Sequence, residues 1–150
     1  MAEVERSEDL TGAVERKEGA IDAVERIEES NGFVELTVPA RSEHLRVLRL
    51  VAASVAASLE LDVDQLDDLR IAIDELCGGL IEHAAHGARL RLRLVGRSQC
   101  LEAEGSIVEG GSGGEVDPIS QLILDGLDVT WAISEKTAAF HLVAPGPGRP

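Results

Sequence analysis

A two-layer α+β sandwich, with a mostly antiparallel sheet and helices on one of its faces, is the fold that this sequence predicts. Three observations carry the prediction. Apolar residues alternate with polar ones in five short runs, they recur every three or four residues in three longer runs, and the runs follow the order strand, helix, helix, strand, strand, helix, strand, strand. At 150 residues the chain suits one domain that buries its own core without a disulfide or a structural metal.

Residues 1–32 stand apart from that pattern. The units Ala2-Glu3-Val4-Glu5-Arg6, Ala13-Val14-Glu15-Arg16 and Ala23-Val24-Glu25-Arg26 recur at about ten residues, a spacing that matches neither a heptad nor a solenoid repeat. Charge is dense there and bulky apolar residues are few, so the segment is expected to be an acidic extension without fixed structure, dispensable for folding. The folded domain is expected to span 33–144, and 145–150 to be a flexible tail rich in proline and glycine.

Within the domain, Val34, Leu36 and Val38 alternate with Glu35 and Thr37 as a half-buried strand that Pro39 ends. Ser42 is the expected N-cap of a first helix reaching to near Glu60, with Leu45, Leu48, Val51, Ala52, Val55 and Leu59 as its buried stripe. Asp64 is expected to cap a second helix that turns Leu66, Leu69, Ile73, Leu76, Leu80 and Ala84 inward and ends near His86-Gly87. From Ala88 the period becomes two, with Leu90, Leu92 and Leu94 on one side and Arg89, Arg91 and Arg93 on the other. The run Leu101-Glu102-Ala103-Glu104 pairs with that strand and brings Glu102 and Glu104 onto the arginine face. Gly105 to Asp117 is glycine-rich and expected to be a loop. Pro118 to Leu127 should form a third helix, and Asp128–Ser134 with Thr137–Val143 a closing hairpin.

Composition narrows the function. Hydrophobic residues make up 44% of the chain and aromatics only 2%, so the core must be aliphatic and no aromatic platform exists for stacking single-stranded nucleic acid. Twenty-eight acidic against fourteen basic residues give a net charge of -14, which repels phosphate backbones and anionic lipid and favours a basic protein partner. Direct nucleic-acid binding and membrane association are therefore not expected. Cys77 and Cys100 are the only cysteines, no secretory leader pattern opens the chain and no apolar run reaches the ~20 residues of a membrane span. A reducing cytoplasm with both thiols unpaired is the expected setting.

The second helix carries the most chemistry. Ala72, Glu75, Gly79 and His83 follow at spacings of three, four and four, which places them along one helical face beside the buried stripe. Cys77, His83 and His86 do not converge on one side of that helix, and no metal site is expected from them. No nucleophile motif or hydrolase triad is present.

Ile71 to Ala84 resembles the N-box helix of the GHKL ATPase superfamily, and Phe33 to Ala144 is similar in element order to anti-sigma factors of the RsbW type. Val34-Glu35-Leu36, Ala40-Arg41, Asp68-Leu69-Arg70, Asp74-Glu75-Leu76-Cys77 and Leu80-Ile81 are similar to the UsfX branch in particular. The resemblance implies the histidine-kinase-like, Bergerat-type ATPase fold. It implies Glu75 as general base, a nucleotide contacted around position 79 and His83, and Gly105, Gly110, Gly111, Gly113 and Gly114 as the glycines of the adenine motif and the ATP lid. ATP and magnesium are the cofactors it implies.

The sequence departs from the family at three places. Gly79 stands where the family has the magnesium-holding asparagine, and glycine offers no side-chain oxygen to a cation that wants octahedral oxygen ligands. The stretch Gly105-Ser106-Ile107-Val108-Glu109 lacks the Asp-x-Gly-x-Gly order, and the carboxylate that reads adenine is missing beyond Ala103. The third helix opens with Asp117-Pro118-Ile119-Ser120, an acid where phosphate would meet the helix N-terminus.

Two functions follow from the resemblance. One is an anti-sigma factor that sequesters a stress or developmental sigma factor by contact, with a degenerate nucleotide site. The other is an active serine kinase that binds Mg-ATP and phosphorylates an anti-anti-sigma protein of the STAS type, Glu75 accepting the hydroxyl proton. A sigma factor and an anti-anti-sigma protein are the partners implied, and a homodimer is compatible with both readings.

Overall fold

The computed structural model describes Val24 and residues 26–30, 32–97, 100–111, 115–134 and 136–146. Along the chain the elements are β1 (Arg26–Ser30), β2 (Phe33–Pro39), a 3-10 turn (Ser42–His44), α1 (Leu45–Ser58), α2 (Val63–Glu82), β3 (Ala84–Arg97), β4 (Cys100–Gly111), α3 (Pro118–Asp125), β5 (Thr130–Ser134) and β6 (Ala139–Pro145). The strands form one six-stranded sheet in the order β1-β2-β3-β4-β6-β5, antiparallel at every pairing. The α+β class and the helices on one face are as the periodicities predict.

Alternation along the strands sorts the two faces. Leu36 and Val38 of β2, Leu90, Leu92 and Leu94 of β3, Leu101 and Ala103 of β4, and Phe140, Leu142 and Ala144 of β6 are buried under the helices. Against them α1 presents Leu48, Ala52 and Ala56, and α2 presents Leu69, Ala72, Ile73, Leu76, Cys77 and Leu80. The alanines of α1 are small enough to let α2 approach closely. The opposite face is open and charged: Arg91 pairs with Glu35 at 3.1 Å, Arg97 with Glu102 at 3.0 Å, and Arg93 lies 4.1 Å from the Phe33 ring centroid. Glu104 sits directly opposite Arg93, so both glutamates share the arginine face, as expected.

Several boundaries differ from the sequence reading, each for a tertiary reason. The sheet begins inside the supposed extension, since Arg26–Ser30 pairs with β2 from Arg26↔Thr37 to Ser30↔Phe33. Gly32 at φ 81 supplies the left-handed conformation such a tight hairpin needs, and edge pairing outweighs the low apolar content. Residues 1–23 lie outside the described residues. At the other end, β6 includes Pro145, and the Gln65 amide donates to the Gly146 carbonyl at 3.2 Å, so the tail begins later than 145.

Ser42 is part of the 3-10 turn instead of an N-cap, and Arg41 precedes that turn without a side-chain cap bond. For α2 the cap is Asp62 rather than Asp64: its carboxylate accepts the Gln65 N–H at 2.8 Å while Gln65 accepts the Asp62 N–H at 2.9 Å. The helix stops at Glu82 and passes straight into β3, whose Ala84 pairs with Gly111 across an irregular ladder containing Gly87 at φ 84. Ala84 fits the helical period and the first breaker after it is Gly87, so the sequence extends the helix past Glu82, but the strand ladder decides the state of Ala84.

The largest correction is β4, which continues through the expected loop to Gly111. Gly105 pairs with Leu92 on one side and Phe140 on the other, and Ser106 with Arg91 and Ala139. At Gly105 ladder bonds on both edges outweigh the conformational freedom of the glycine, and beyond Ser106 the pairing with β3, as far as Gly111 with Ala84, carries the strand on. The third helix is shorter than expected, ending at Asp125.

Leu80→Ala is expected to destabilise the domain by roughly 2–5 kcal/mol, because Leu80 is fully buried in α2. Leu122→Ala, on the exposed side of α3, should shift the midpoint little. Urea denaturation of the two variants checks the burial assignment, and equal midpoints would refute it.

Candidate functional site

The N-terminal turn of α3 crosses α2 at the residues that the sequence marks for chemistry. Glu75 is half-buried on α2, and its Oε2 accepts a 2.5 Å hydrogen bond from the Ser120 hydroxyl. Asp117 caps α3: its Oδ1 accepts the Ser120 N–H at 2.9 Å, and its Oδ2 lies 3.2 Å from the Ser120 hydroxyl oxygen. A hydroxyl has one proton to give, and the shorter distance assigns it to Glu75. One turn further along α2, a Cβ on Gly79 would lie 3.3 Å from the Glu115 carbonyl oxygen. The lack of a side chain there admits the backbone that leads into α3.

His83 ends α2 as its C-cap, exposed, with Nδ1 at 3.0 Å from the Gly79 carbonyl. Ala72, expected on the face with Glu75 and Gly79, is fully buried in the core. Glu75 and Gly79 therefore meet the α3 entry, with His83 at the helix end, while Ala72 belongs to packing.

Gly105 lies elsewhere, in the sheet. A Cβ there would overlap Cε2, Cζ and Cδ2 of Phe140, so the absent side chain leaves room for an aromatic ring across the β4–β6 ladder. Gly110, at φ 78, lies against Ala85 and Ala88, and Gly111 against Ile107 and Ala138. Gly105 allows close packing in the middle of β4, and Gly110 and Gly111 allow it at the strand's end. Gly113 and Gly114 are outside the described residues.

Charge at the site is negative. Glu75 and Asp117 flank the Ser120 hydroxyl, and Asp68 on the preceding turns of α2 accepts the Asp128 N–H at 3.0 Å. Asp74 is neutralised by Arg49 at 2.7 Å. The Ser120 N–H holds the Asp117 carboxyl below the ordinary aspartate range. That cap is therefore in place above the ordinary range and is lost as pH falls through the lowered value. Burial, with the Asp74 charge second, pushes the Cys77 thiol up, which keeps it protonated and inert. Cys77 and Cys100 are both free thiols.

These residues do not fit a magnesium triphosphate. Glycine stands where the resemblance implies a magnesium ligand, the Glu115 carbonyl lies against it, a serine of the chain itself holds the carboxylate proposed as base, and an aspartate occupies the N-terminus of α3. Two carboxylates beside one hydroxyl would repel a polyphosphate. Glu115 and Ser120 were not singled out by sequence reasoning. The Asp117-Pro118 start of a helix was legible, but only the crossing with α2 brings Ser120 to Glu75.

Comparison with known proteins places the same stretch in context. Residues 38–115, just over half of the chain, match the family described as histidine kinase-like ATPase domain. An anti-sigma-F factor RsbW of Mycobacterium tuberculosis (strain ATCC 25618 / H37Rv) is 41% identical over 73 residues, covering 49% of this chain and 44% of that protein. A serine-protein kinase RsbW of Bacillus subtilis (strain 168) is 35% identical over 52 residues, 35% of this chain and 32% of that protein. Another, from Halalkalibacterium halodurans, is 39% identical over 51 residues, 34% of this chain and 32% of its own length. The matched stretches span less than half the length of these curated relatives.

Gly105→Ala is expected to cost roughly 1–3 kcal/mol by overpacking against Phe140, and Phe140→Leu in the same chain should recover part of the loss. Denaturant midpoints of the two single variants and the double test this, and additive losses would refute the contact. Lowering pH should reduce the hydrogen-exchange protection factor of the Ser120 amide as Asp117 protonates. Asp117→Asn, which keeps an acceptor oxygen, should remove that pH dependence, and an unchanged profile would show that Asp117 is not the titrating group.

Proposed function

Because this chain belongs to the histidine kinase-like ATPase domain family, we propose that it is an anti-sigma factor that sequesters an alternative sigma factor by contact, its nucleotide site having lost its function. The observation that carries this reading is the crossing of α3 on α2, which fills the Glu75–Gly79 face with Ser120 and the Glu115 carbonyl. The name of the Mycobacterium tuberculosis relative, anti-sigma-F factor RsbW, supports the partner class. Opposed charge supports it too, since a chain of net charge -14 complements the basic surfaces of a DNA-binding protein. A STAS-type anti-anti-sigma protein is the antagonist this reading calls for, a homodimer is compatible with it, and the cytoplasm is where such partners meet. No described helix is long and apolar enough to cross a membrane.

One observation favours the kinase reading. Glu75 accepts a proton-bearing serine hydroxyl, the geometry a general base needs, and relatives carry the name serine-protein kinase RsbW. The serine it holds, however, belongs to α3 and lies beside a second carboxylate. Phosphoryl transfer needs cationic clamping of the phosphates, and the residues around Glu75 supply acids instead.

Titration calorimetry of the chain with sigma factors of its own cell tests the proposal. We expect affinity to be the same with and without Mg-ATP, and association to slow as salt rises, since exposed charges are screened over ~10 Å at 0.1 M. Mg-ATP should bind neither the wild type nor Gly79→Asn, because an Asn side chain would meet the Glu115 carbonyl. Tight magnesium-dependent ATP binding by the wild type, with phosphate transfer to a STAS protein, would establish the kinase reading instead.

A further inference from the structure

We infer that α3 and the adjoining face of α2 form a dock for a basic amphipathic helix of a protein partner. Among the described residues, every large hydrophobic side chain left exposed lies on the helical layer and none on the open face of the sheet. Three of the six are on the eight residues of α3: Ile119 at 73% exposure, Leu122 at 75% and Ile123 at 38%. Their spacing of three and four residues gathers them on one side of the helix, while Ser120 and Leu124 point to α2 and the core. Singly exposed apolar residues need no explanation, but a clustered stripe does.

The stripe continues onto α2. Bonds between Ser120 and Glu75 and between Asp128 and Asp68 mark the line along which the α3 segment meets α2. Ile71, 40% exposed, lies three residues from Asp68 and four from Glu75, on that same side. On α3 the strip runs from Ile119 to Ile123, about one helical turn, and Ile71 extends it on α2, so that a partner helix can lay down its own apolar face there.

Charge identifies the occupant. The twenty residues of α2 contain six carboxylates and one basic residue, Arg70, which is paired with Asp67 at 3.2 Å. The α3 segment adds Glu115, Asp117, Asp125 and Asp128, all exposed, with no Lys or Arg between them. A rim of acids around an apolar strip selects a helix whose leucine-like stripe is flanked by Lys or Arg. A second copy of the chain brings the same negative charge to the contact, and anionic lipid is repelled for the same reason. The proposed function gives this dock its natural occupant, a helix of the sigma factor, and in that respect the inference rests on that reading.

The test uses the full chain and three synthetic peptides of helical spacing: leucine-lysine as probe, leucine-glutamate and alanine-lysine as controls. The leucine-lysine peptide should bind the wild type, and Ile119→Ser/Leu122→Ser/Ile123→Ser should lower its affinity by roughly tenfold or more. A second variant, Asp64→Asn/Asp67→Asn, should weaken binding and flatten its salt dependence without touching the stripe. Circular dichroism on each variant separates lost binding from lost folding. Equal binding of the alanine-lysine peptide, or an unaffected triple variant, would overturn the dock. So would tighter binding to phosphatidylglycerol vesicles, or a dimer that the triple variant dissolves. A sigma factor that binds wild type and triple variant equally would overturn the dock and leave the proposed function standing. Capture of the leucine-lysine peptide without any sigma factor would keep the dock and remove that function.

Discussion

The structure depends on the burial of one face of α2. Leu69, Ile73, Leu76, Cys77 and Leu80 are sealed between α1 and the sheet, and a helix of 3.6 residues per turn must then present Asp68, Ile71, Glu75 and Gly79 along a neighbouring side. Core and site are therefore two faces of one rigid rod. The capping box at Asp62 and Gln65 fixes where that rod starts, and direct passage into β3 at Ala84 fixes where it ends. Neither face can rotate without unsealing the other.

From that constraint comes the state of the site. The side of α2 carrying Glu75 is covered by the chain itself, and the cover is specific: a glycine where the Glu115 carbonyl approaches, and a serine hydroxyl aimed at the carboxylate. The acid at the N-terminus of α3, Asp117, is committed to capping that helix. A chain of the histidine kinase-like ATPase domain family thus has the Glu75–Gly79 face of its second helix in contact with the segment that enters α3. At position 79 the absence of a side chain is what admits the Glu115 carbonyl.

Charge is distributed with equal economy. On the open face of the sheet the arginines of β3 are met by glutamates from β2 and β4, so that face carries balanced charge. From β2 onward the excess of carboxylates falls on α2 and the α3 segment, beside the exposed apolar side chains. An acidic surface without apolar content would only steer a partner, and an apolar surface without acids would not discriminate among partners. The helical layer combines the two.

The sequence by itself determined the elements whose faces have a period. The leucine alternation of β3, the closing hairpin, the buried stripes of α1 and α2, the pairing of Glu102 and Glu104 with the arginine face and the aspartate at the start of α3 were all legible, because side-chain direction follows from local geometry. Glu75 and Gly79 were legible as neighbours for the same reason. What they touch was not. Gly105, Gly110 and Gly111 read as a loop because glycine weakens a strand locally, yet pairing on both edges and the Phe140 ring decide otherwise at Gly105, and pairing of Gly111 with Ala84 of β3 carries the strand to its end. Arg26–Ser30 read as part of an extension because an edge strand needs few apolar residues of its own. Ser120 meets Glu75 across 45 residues of sequence, and only the packing of α3 on α2 brings that pair together.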